Sequence, residues 1–309
     1  MASLQTVLFE RLVRVLGVKR RLQRIADSAS DRDELQRLVD KERRWGQPRP
    51  PPRVIRGRHH EEIDIDGFAL HLLTNEDAGH RRVILFLHGG GYMFGPFRTE
   101  WSMMNEIASA TACDLALLDY PKAPEHHVSL TVDVTRRAYD VIVSRYGAAN
   151  TALVGSSAGG ALAVVIMTVL RDANLSQPRR VVLVSPGMDM TLSDDFARLE
   201  DGDLLLTADY VRTAGELYAD PHQPIHPHVS PIFANLEGLA PLHVFVGSRE
   251  ILLPGVETFA RRAAESGTDV HLIIGEGQQH TWPTAPTPEG REAVRQMIEI
   301  IGIEPGMVD

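Results

Sequence analysis

The stretch Thr151-Ala-Leu-Val-Gly-Ser-Ser-Ala-Gly-Gly-Ala-Leu-Ala-Val-Val-Ile-Met167 constrains the fold more than any other. It opens as a short apolar run that fits a buried strand and passes through a knot of glycine and serine. It then continues as a long run rich in Ala, Leu and Met. Read as strand, sharp turn and helix, it sets Ser157 at the apex, inside the G-x-S-x-G pattern Gly155-Ser-Ser-Ala-Gly159. That pattern suits a nucleophile held on a strained turn, because glycines two residues either side leave room for the bend. The helix that follows would aim its N-terminal N–H groups and positive dipole end at developing negative charge. A tight turn without chemistry has the same five residues, so the other parts must appear in a usable order.

The rest of the chain repeats the strand and helix alternation. Apolar runs at 83–87, 113–118, 152–154, 181–184, 242–246 and 270–274 predict strands. Helices are expected over 99–111, 130–146, 158–172, 254–266 and 289–301. Such alternation implies an α/β fold with a mostly parallel sheet covered on both faces. Residues 61–73 alternate in two arms around Asp66-Gly67, a hairpin that would add an antiparallel edge. Length is compatible with one such unit: 309 residues, 43% of them hydrophobic, suffice for a two-faced core.

Two segments break the rhythm. Leu4, Val7, Leu8, Leu12, Val15 and Leu16 recur at helical spacing among Arg11, Arg14, Lys19, Arg20, Arg21 and Arg24. A basic amphipathic helix of this kind either lies on a membrane surface or docks on the protein body, and docking is the expectation. A second helix over 30–44 and a proline-rich linker over 45–52 follow, so residues 1–52 read as a helical cap segment and linker, an appendage to a body at 53–309. Some fifty residues then separate two strands between Pro186 and Pro241, with Met188, Met190, Phe196, Tyr210 and Tyr218 among them. Insertions of this kind sit beyond the strand carboxyl ends, where ligands bind, and about 186–235 is read as a second cap element.

Composition narrows the partners. A net charge of −9 without a dense basic block argues against nucleic acid. The single cysteine, Cys113, excludes an internal disulfide framework and fits a reducing compartment. The N-terminus lacks a signal-peptide pattern, and no run approaches the ~18 apolar residues of a membrane span. A soluble, cytoplasmic protein without stable membrane insertion is expected.

Directly after the strand at 83–87 comes His88-Gly-Gly-Gly-Tyr92. Acyl transfer needs backbone N–H donors where a carbonyl oxygen becomes an oxyanion, and glycines allow that close approach. The rival, a phosphate cradle, lacks both G-x-G-x-x-G and a Walker sequence. An H-G-G-G loop upstream of G-x-S-x-G is the lipase and esterase arrangement. Together, His88-Gly-Gly-Gly-Tyr92, Asp119-Tyr-Pro-Lys-Ala-Pro-Glu125 and Gly155-Ser-Ser-Ala-Gly-Gly160 resemble the hormone-sensitive-lipase-like bacterial esterases of the α/β-hydrolase fold. The resemblance covers about 60–305. It implies oxyanion donors at Gly90, Gly91 and Ala158, with Gly89 shaping the turn and His88 supporting the loop.

The remaining catalytic groups should follow in the order acid, then histidine. Glu250, in Gly247-Ser-Arg-Glu-Ile-Leu-Leu253, stands where the family usually carries aspartate; Glu257 is the nearest alternative but falls inside a helix. His280, in Gly275-Glu-Gly-Gln-Gln-His280, matches the family's last motif. Three further departures are Ser156 before the nucleophile, Pro121-Lys122 in place of Arg-Leu, and Pro254 after the acid. His222, His226 and His228 sit among prolines that break helical ligand spacing, so no metal site is expected. His59, His60, His126 and His127 read as surface or loop residues. The expected activity is hydrolysis of short-chain acyl esters or lactones by Ser157, Glu250 and His280, without cofactor. Amide or formamide hydrolysis is the alternative on the same site, and a non-catalytic small-ligand receptor the alternative of another class. Relatives imply a homodimer.

Overall fold

The computed structural model describes residues 3–75, 82–192 and 196–302. Its eight strands are β1 (Arg58–Ile65), β2 (Phe68–Asn75), β3 (Val83–Leu87), β4 (Asp114–Leu118), β5 (Thr151–Ser156), β6 (Arg180–Val184), β7 (Leu242–Gly247) and β8 (Val270–Gly275). They form one sheet in the order β1-β2-β4-β3-β5-β6-β7-β8. β1, β2 and β4 pair antiparallel, and the remaining pairs are parallel. The mostly parallel sheet with an antiparallel hairpin edge is therefore as the sequence pattern implies.

The eleven α-helices of the described residues are α1 (Leu4–Leu16), α2 (Val18–Asp27), α3 (Arg32–Arg43), α4 (Pro52–Ile55), α5 (Arg98–Ala110), α6 (Val128–Tyr146), α7 (Ala158–Asp172), α8 (Ala197–Glu200), α9 (Ala208–Ala219), α10 (Leu253–Glu265) and α11 (Pro288–Gly302). Side chains alternate across the central strands: Leu85, Leu87 and Leu153 join a core with α6, α7 and α10, while Ile84, Phe86 and Val154 join a second core with α5 and α11. This period of two explains why a run such as Val83–Leu87 must be apolar throughout, since both faces are covered.

The N-terminal region departs from expectation in two ways. The periodicity over 3–27 is divided: Gly17, at φ 63°, ends α1 and starts α2, because a left-handed residue stops the ladder of helical hydrogen bonds. The segment is also less of an appendage than its composition suggests. Ile25, Leu35 and Val39 are fully buried in the larger core. The linker is tied down too, with Gln47 O accepting from Trp101 Nε1 at 2.7 Å and Gln47 N–H donating to Pro96 O at 2.6 Å. α2 packs on α9 of the mid-chain insertion, so chain segments almost two hundred residues apart together cover one end of the sheet. Of the expected cap at 186–235, residues 193–195 lie outside the described residues, as do 1–2, 76–81 and 303–309.

Burial of Ile25 yields a test. Ile25→Ala should cost about 2–5 kcal/mol, read as a lower midpoint in a single chemical-denaturation transition of the whole chain. A separate early transition would mean that the N-terminal helices unfold on their own.

Candidate active site

β5 ends at Ser156 and α7 begins at Ala158, leaving Ser157 between them at φ 52°, ψ −118°. A non-glycine residue held in such a region costs about 1–3 kcal/mol, so its surroundings must impose it. Ser157 N–H donates to Val184 O at 2.8 Å, and Ser157 O accepts from the N–H of Gly160 at 2.9 Å and Gly187 at 3.2 Å. The flanking glycines are needed for close approach. A Cβ on Gly155 would lie 2.4 Å from Gly159 O, and one on Gly159 would lie 2.1 Å from Leu87 O. α7 thus seats directly on the end of β3, with the Ser157 hydroxyl beyond the carboxyl ends of the strands.

His280 stands on the loop after β8. Its Nε2 lies 3.0 Å from Ser157 Oγ, and its Nδ1 lies 2.5 Å from Glu250 Oε2. Glu250, fully buried after β7, also accepts from Ser185 Oγ at 2.8 Å and Gly247 N–H at 2.5 Å. Ser185 Oγ in turn accepts from Thr281 N–H at 2.9 Å. With Nδ1–H donating to the carboxylate, Nε2 is the free base facing the hydroxyl. Burial alone lowers the His280 pKa; the adjoining Glu250 charge and hydrogen bond outweigh this, with smaller help from Asp203 and Glu100, and hold it above the usual 6.5. Hydroxyl, imidazole and carboxylate in this line can move a proton from Oγ onto the ring as Oγ attacks a carbonyl carbon.

The glycine loop lies on the other side of Ser157. Gly89 N–H is taken by Glu100 Oε1 at 2.7 Å, while Glu100 Oε2 accepts from Phe97 N–H at 2.9 Å. The N–H groups of Gly90, Gly91 and Ala158 have no acceptor among the described residues. Only glycine fits the next two places: a Cβ on Gly90 would meet the Phe94 backbone at 2.6 Å, and one on Gly91 would meet Tyr210 Oη at 2.2 Å. His88 is buried behind the loop, its Nδ1–H donating to Gly89 O at 2.7 Å and its ring stacked on Tyr120 at 4.1 Å. Tyr120 Oη donates to His88 O at 2.7 Å. The loop is therefore pinned from behind, with its unpaired donors on the cavity side.

These groups open into a cavity of about 480 Å³ lined by Gly89, Gly90, Gly91, Ser157, Ala158 and His280 at its floor. Its walls are largely apolar, from Phe94, Phe97, Met190, Leu206, Tyr210 and Val211, and Leu16, Val18 and Trp45 reach it from the N-terminal segment. Both expected cap segments thus contribute lining.

Three residues near the site were not singled out from the sequence. Glu100 holds the loop as described, and burial pushes its carboxyl up. The buried Ser156 hydroxyl sits beside that carboxyl without a hydrogen bond of ordinary geometry. Asp203 accepts from Leu205, Leu206 and Ile251 N–H at 2.8, 2.9 and 2.9 Å, and it too is raised by burial. Ser185 is the third. Asp203 and Ser185 act across dozens of residues of sequence and carry no local signal. Glu100 accepts Phe97 N–H from the first turn of α5, but with phenylalanine at the cap the Ser/Thr-x-x-Glu signature is missing, so it too gives no pattern to read.

Lys122, the second residue of the Pro121-Lys122 departure, pairs with Asp119 behind the loop, and Pro254 occupies the first turn of α10, where proline is tolerated. Glu257 lies inside α10, away from the cavity lining. His222 and His226 stack at 4.2 Å, and no group of three or more His, Cys, Asp or Glu suited to a metal occurs among the described residues. His59 is exposed, His60 lies 3.2 Å from His71, and His126 packs edge-on to Phe68. No helix of the described residues is long and apolar enough to cross a membrane.

Comparison with known proteins agrees with this fold. A family model described as alpha/beta hydrolase fold matches residues 84–284. The chain is similar to an esterase of Acinetobacter venetianus, 30% identical over 72% of this chain and 75% of that protein. It is also similar to an acetyl-hydrolase of Streptomyces hygroscopicus, 32% identical over 69% and 73% respectively. The crystal structure of an esterase from the bacterial hormone-sensitive lipase family superposes with a TM-score of 0.77 at 30% identity, covering 92% of this chain and 98% of that one. The chain therefore belongs to the alpha/beta-hydrolase family, as an esterase- and lipase-like serine hydrolase of the hormone-sensitive-lipase group.

Proposed function

We propose that Ser157, His280 and Glu250 form the catalytic triad of a carboxylic-ester hydrolase and that the N–H groups of Gly90, Gly91 and Ala158 receive the oxyanion. The observation that carries this is the unbroken hydrogen-bonded line from Ser157 to Glu250, opening on a cavity floored by three unused donors. Ser157 Oγ attacks the ester carbonyl while His280 Nε2 takes its proton. The tetrahedral intermediate collapses as His280 returns that proton to the leaving alcohol, leaving an acyl-enzyme. Water then attacks the acyl carbon with the same base, and the acid is released. Glu250 fixes the ring's tautomer and stabilises its cationic form. Glu100 acts as a positioning residue: by occupying Gly89 N–H it fixes the loop that presents Gly90 and Gly91.

Substrate class follows from the walls. A cavity of about 480 Å³ with an apolar lining fits a short acyl chain and a modest alcohol. The esterase and acetyl-hydrolase relatives support that reading. A lactone is a cyclic ester and meets the same attack.

Two outcomes test this. Ser157→Ala should lower hydrolysis of p-nitrophenyl acetate by at least about 10⁴-fold, with the thermal unfolding midpoint little changed; turnover retained in that variant would end the assignment. His280 must be neutral to act as base, and its pKa is raised. Activity should accordingly fall as pH drops through a midpoint above the ordinary 6.5, and reach a plateau on the alkaline side. Glu250→Gln removes the charge that raises the ring, so the acid limb should move to lower pH while the plateau falls on the order of 10⁴-fold. A kcat/KM profile against pH for both proteins gives the result, and an acid limb unmoved by the substitution would contradict it.

A further inference from the structure

α1 is apolar on its solvent side. At 3.6 residues per turn, Thr6, Phe9, Glu10 and Val13 share the face turned to the body. There Ser3 N–H and Thr6 Oγ1 donate to the Glu289 carboxylate at 2.6 and 2.7 Å, and Arg249 Nη1 meets Glu10 Oε1 at 2.8 Å. The outward face carries Leu4, Leu8, Leu12 and Val15, with Leu16 at its edge, all exposed, Leu4 at 74% and Val15 at 84%. A helix that merely covers a globular protein has the reverse arrangement. Elsewhere among the described residues the exposed large apolar side chains are separated along the chain; on α1 they form a stripe.

The stripe leads into the cavity. Leu16 lies one turn beyond Leu12, and both Leu16 and the exposed Trp45 line the mouth of the pocket above Ser157. Charge is arranged around the same helix pair. The chain as a whole carries −9, yet Arg11, Arg14, Arg20 and Arg24 on α1 and α2 are exposed and have no ion pair among the described residues. The acids of these two helices are Glu10, held by Arg249, and Asp27. Arg11 stands one turn from Leu8 and from Val15, at the border of the stripe.

We propose that the outward face of α1, with its flanking arginines and Trp45, docks the enzyme reversibly on an anionic lipid surface, from which an acyl chain passes Leu16 into the cavity. The part concerning acyl entry rests on the ester-hydrolase reading of that cavity. A second copy of this chain fits the face less well, because a two-fold contact would set the same unpaired arginines against each other. At 13 residues α1 is too short to span a bilayer and would lie in the interface. A tryptophan beside such a helix suits the depth of the lipid headgroups.

The test is co-sedimentation of the full chain with vesicles of equimolar phosphatidylcholine and phosphatidylglycerol, and with phosphatidylcholine alone. Wild type should pellet with the anionic vesicles, less so as salt is raised, and only weakly with the neutral ones. Leu8→Gln combined with Leu12→Gln should lower partition at least about tenfold. Arg11→Gln combined with Arg14→Gln should lower it about fivefold per charge, on anionic vesicles only. None of these four residues lines the cavity, so both variants should hydrolyse soluble p-nitrophenyl acetate as wild type does. Wild type left in the supernatant, or variants that bind equally, would overturn the proposal. So would a wild-type dimer in sedimentation velocity that the leucine substitutions dissociate, since the face would then belong to a second copy. Vesicle binding by a wild-type chain that hydrolyses no ester would support the docking and overturn the reading of the cavity instead.

Discussion

At Ser157 the backbone turns through a conformation that ordinary side chains avoid, and close packing of glycine against carbonyl oxygen keeps it there. Gly159 rests against Leu87 O at a distance no methyl could tolerate, which sets the first turn of α7 on the end of β3. Three consequences follow from that one contact. The hydroxyl stands clear of the sheet, Ala158 N–H is left without an acceptor, and the positive end of a 15-residue helix lies under the place where charge would appear. The glycine loop after β3 then lies beside the hydroxyl, because β3 and β5 are neighbours in the sheet. Glu250 and His280 come from farther off: β8 is three strands from β5, about 14 Å at ordinary strand spacing. Their loops must lean back toward β5 to reach Ser157, and Ser185, just after β6, ties both of them on the way.

Electrostatics impose a second constraint. Three buried carboxyl groups, those of Glu250, Asp203 and Glu100, act on one imidazole. Burial raises the carboxyl pKa of both Asp203 and Glu100, since each is taken out of water. Glu250 alone makes the direct bond to the ring. Asp203 and Glu100 spend their oxygens on backbone N–H groups, which turns two potential liabilities into braces for the loops on either side of Ser157.

Much of this was readable from the chain. The elbow and the glycine loop announce themselves because a tight bend or a close backbone approach excludes every residue but glycine. His280 is visible because it follows a strand and precedes a closing helix. The sheet is legible for a similar reason: strands covered on both faces must be apolar at every position. The hidden parts are those whose meaning depends on distant partners. Ser185 reads as an ordinary serine until Glu250, 65 residues on, stands beside it. Asp203 reads as a loop charge until Ile251 N–H arrives from 48 residues away. The division of the first helix at Gly17 was legible in principle, but a single glycine within a strong apolar period carries less weight than the period itself.

One feature of the roof reaches into the chemistry. Asp203 belongs to the mid-chain insertion, is overlaid by Lys19 from the N-terminal segment, and holds the backbone of the residue that follows Glu250. The segments that wall the cavity and the backbone beside Glu250 are therefore bonded to one another, so a change in the insertion that moved Asp203 would be felt at Ile251 N–H. An exchange of the insertion that lost the carboxyl group at position 203 would leave the Ile251 N–H next to Glu250 without its acceptor.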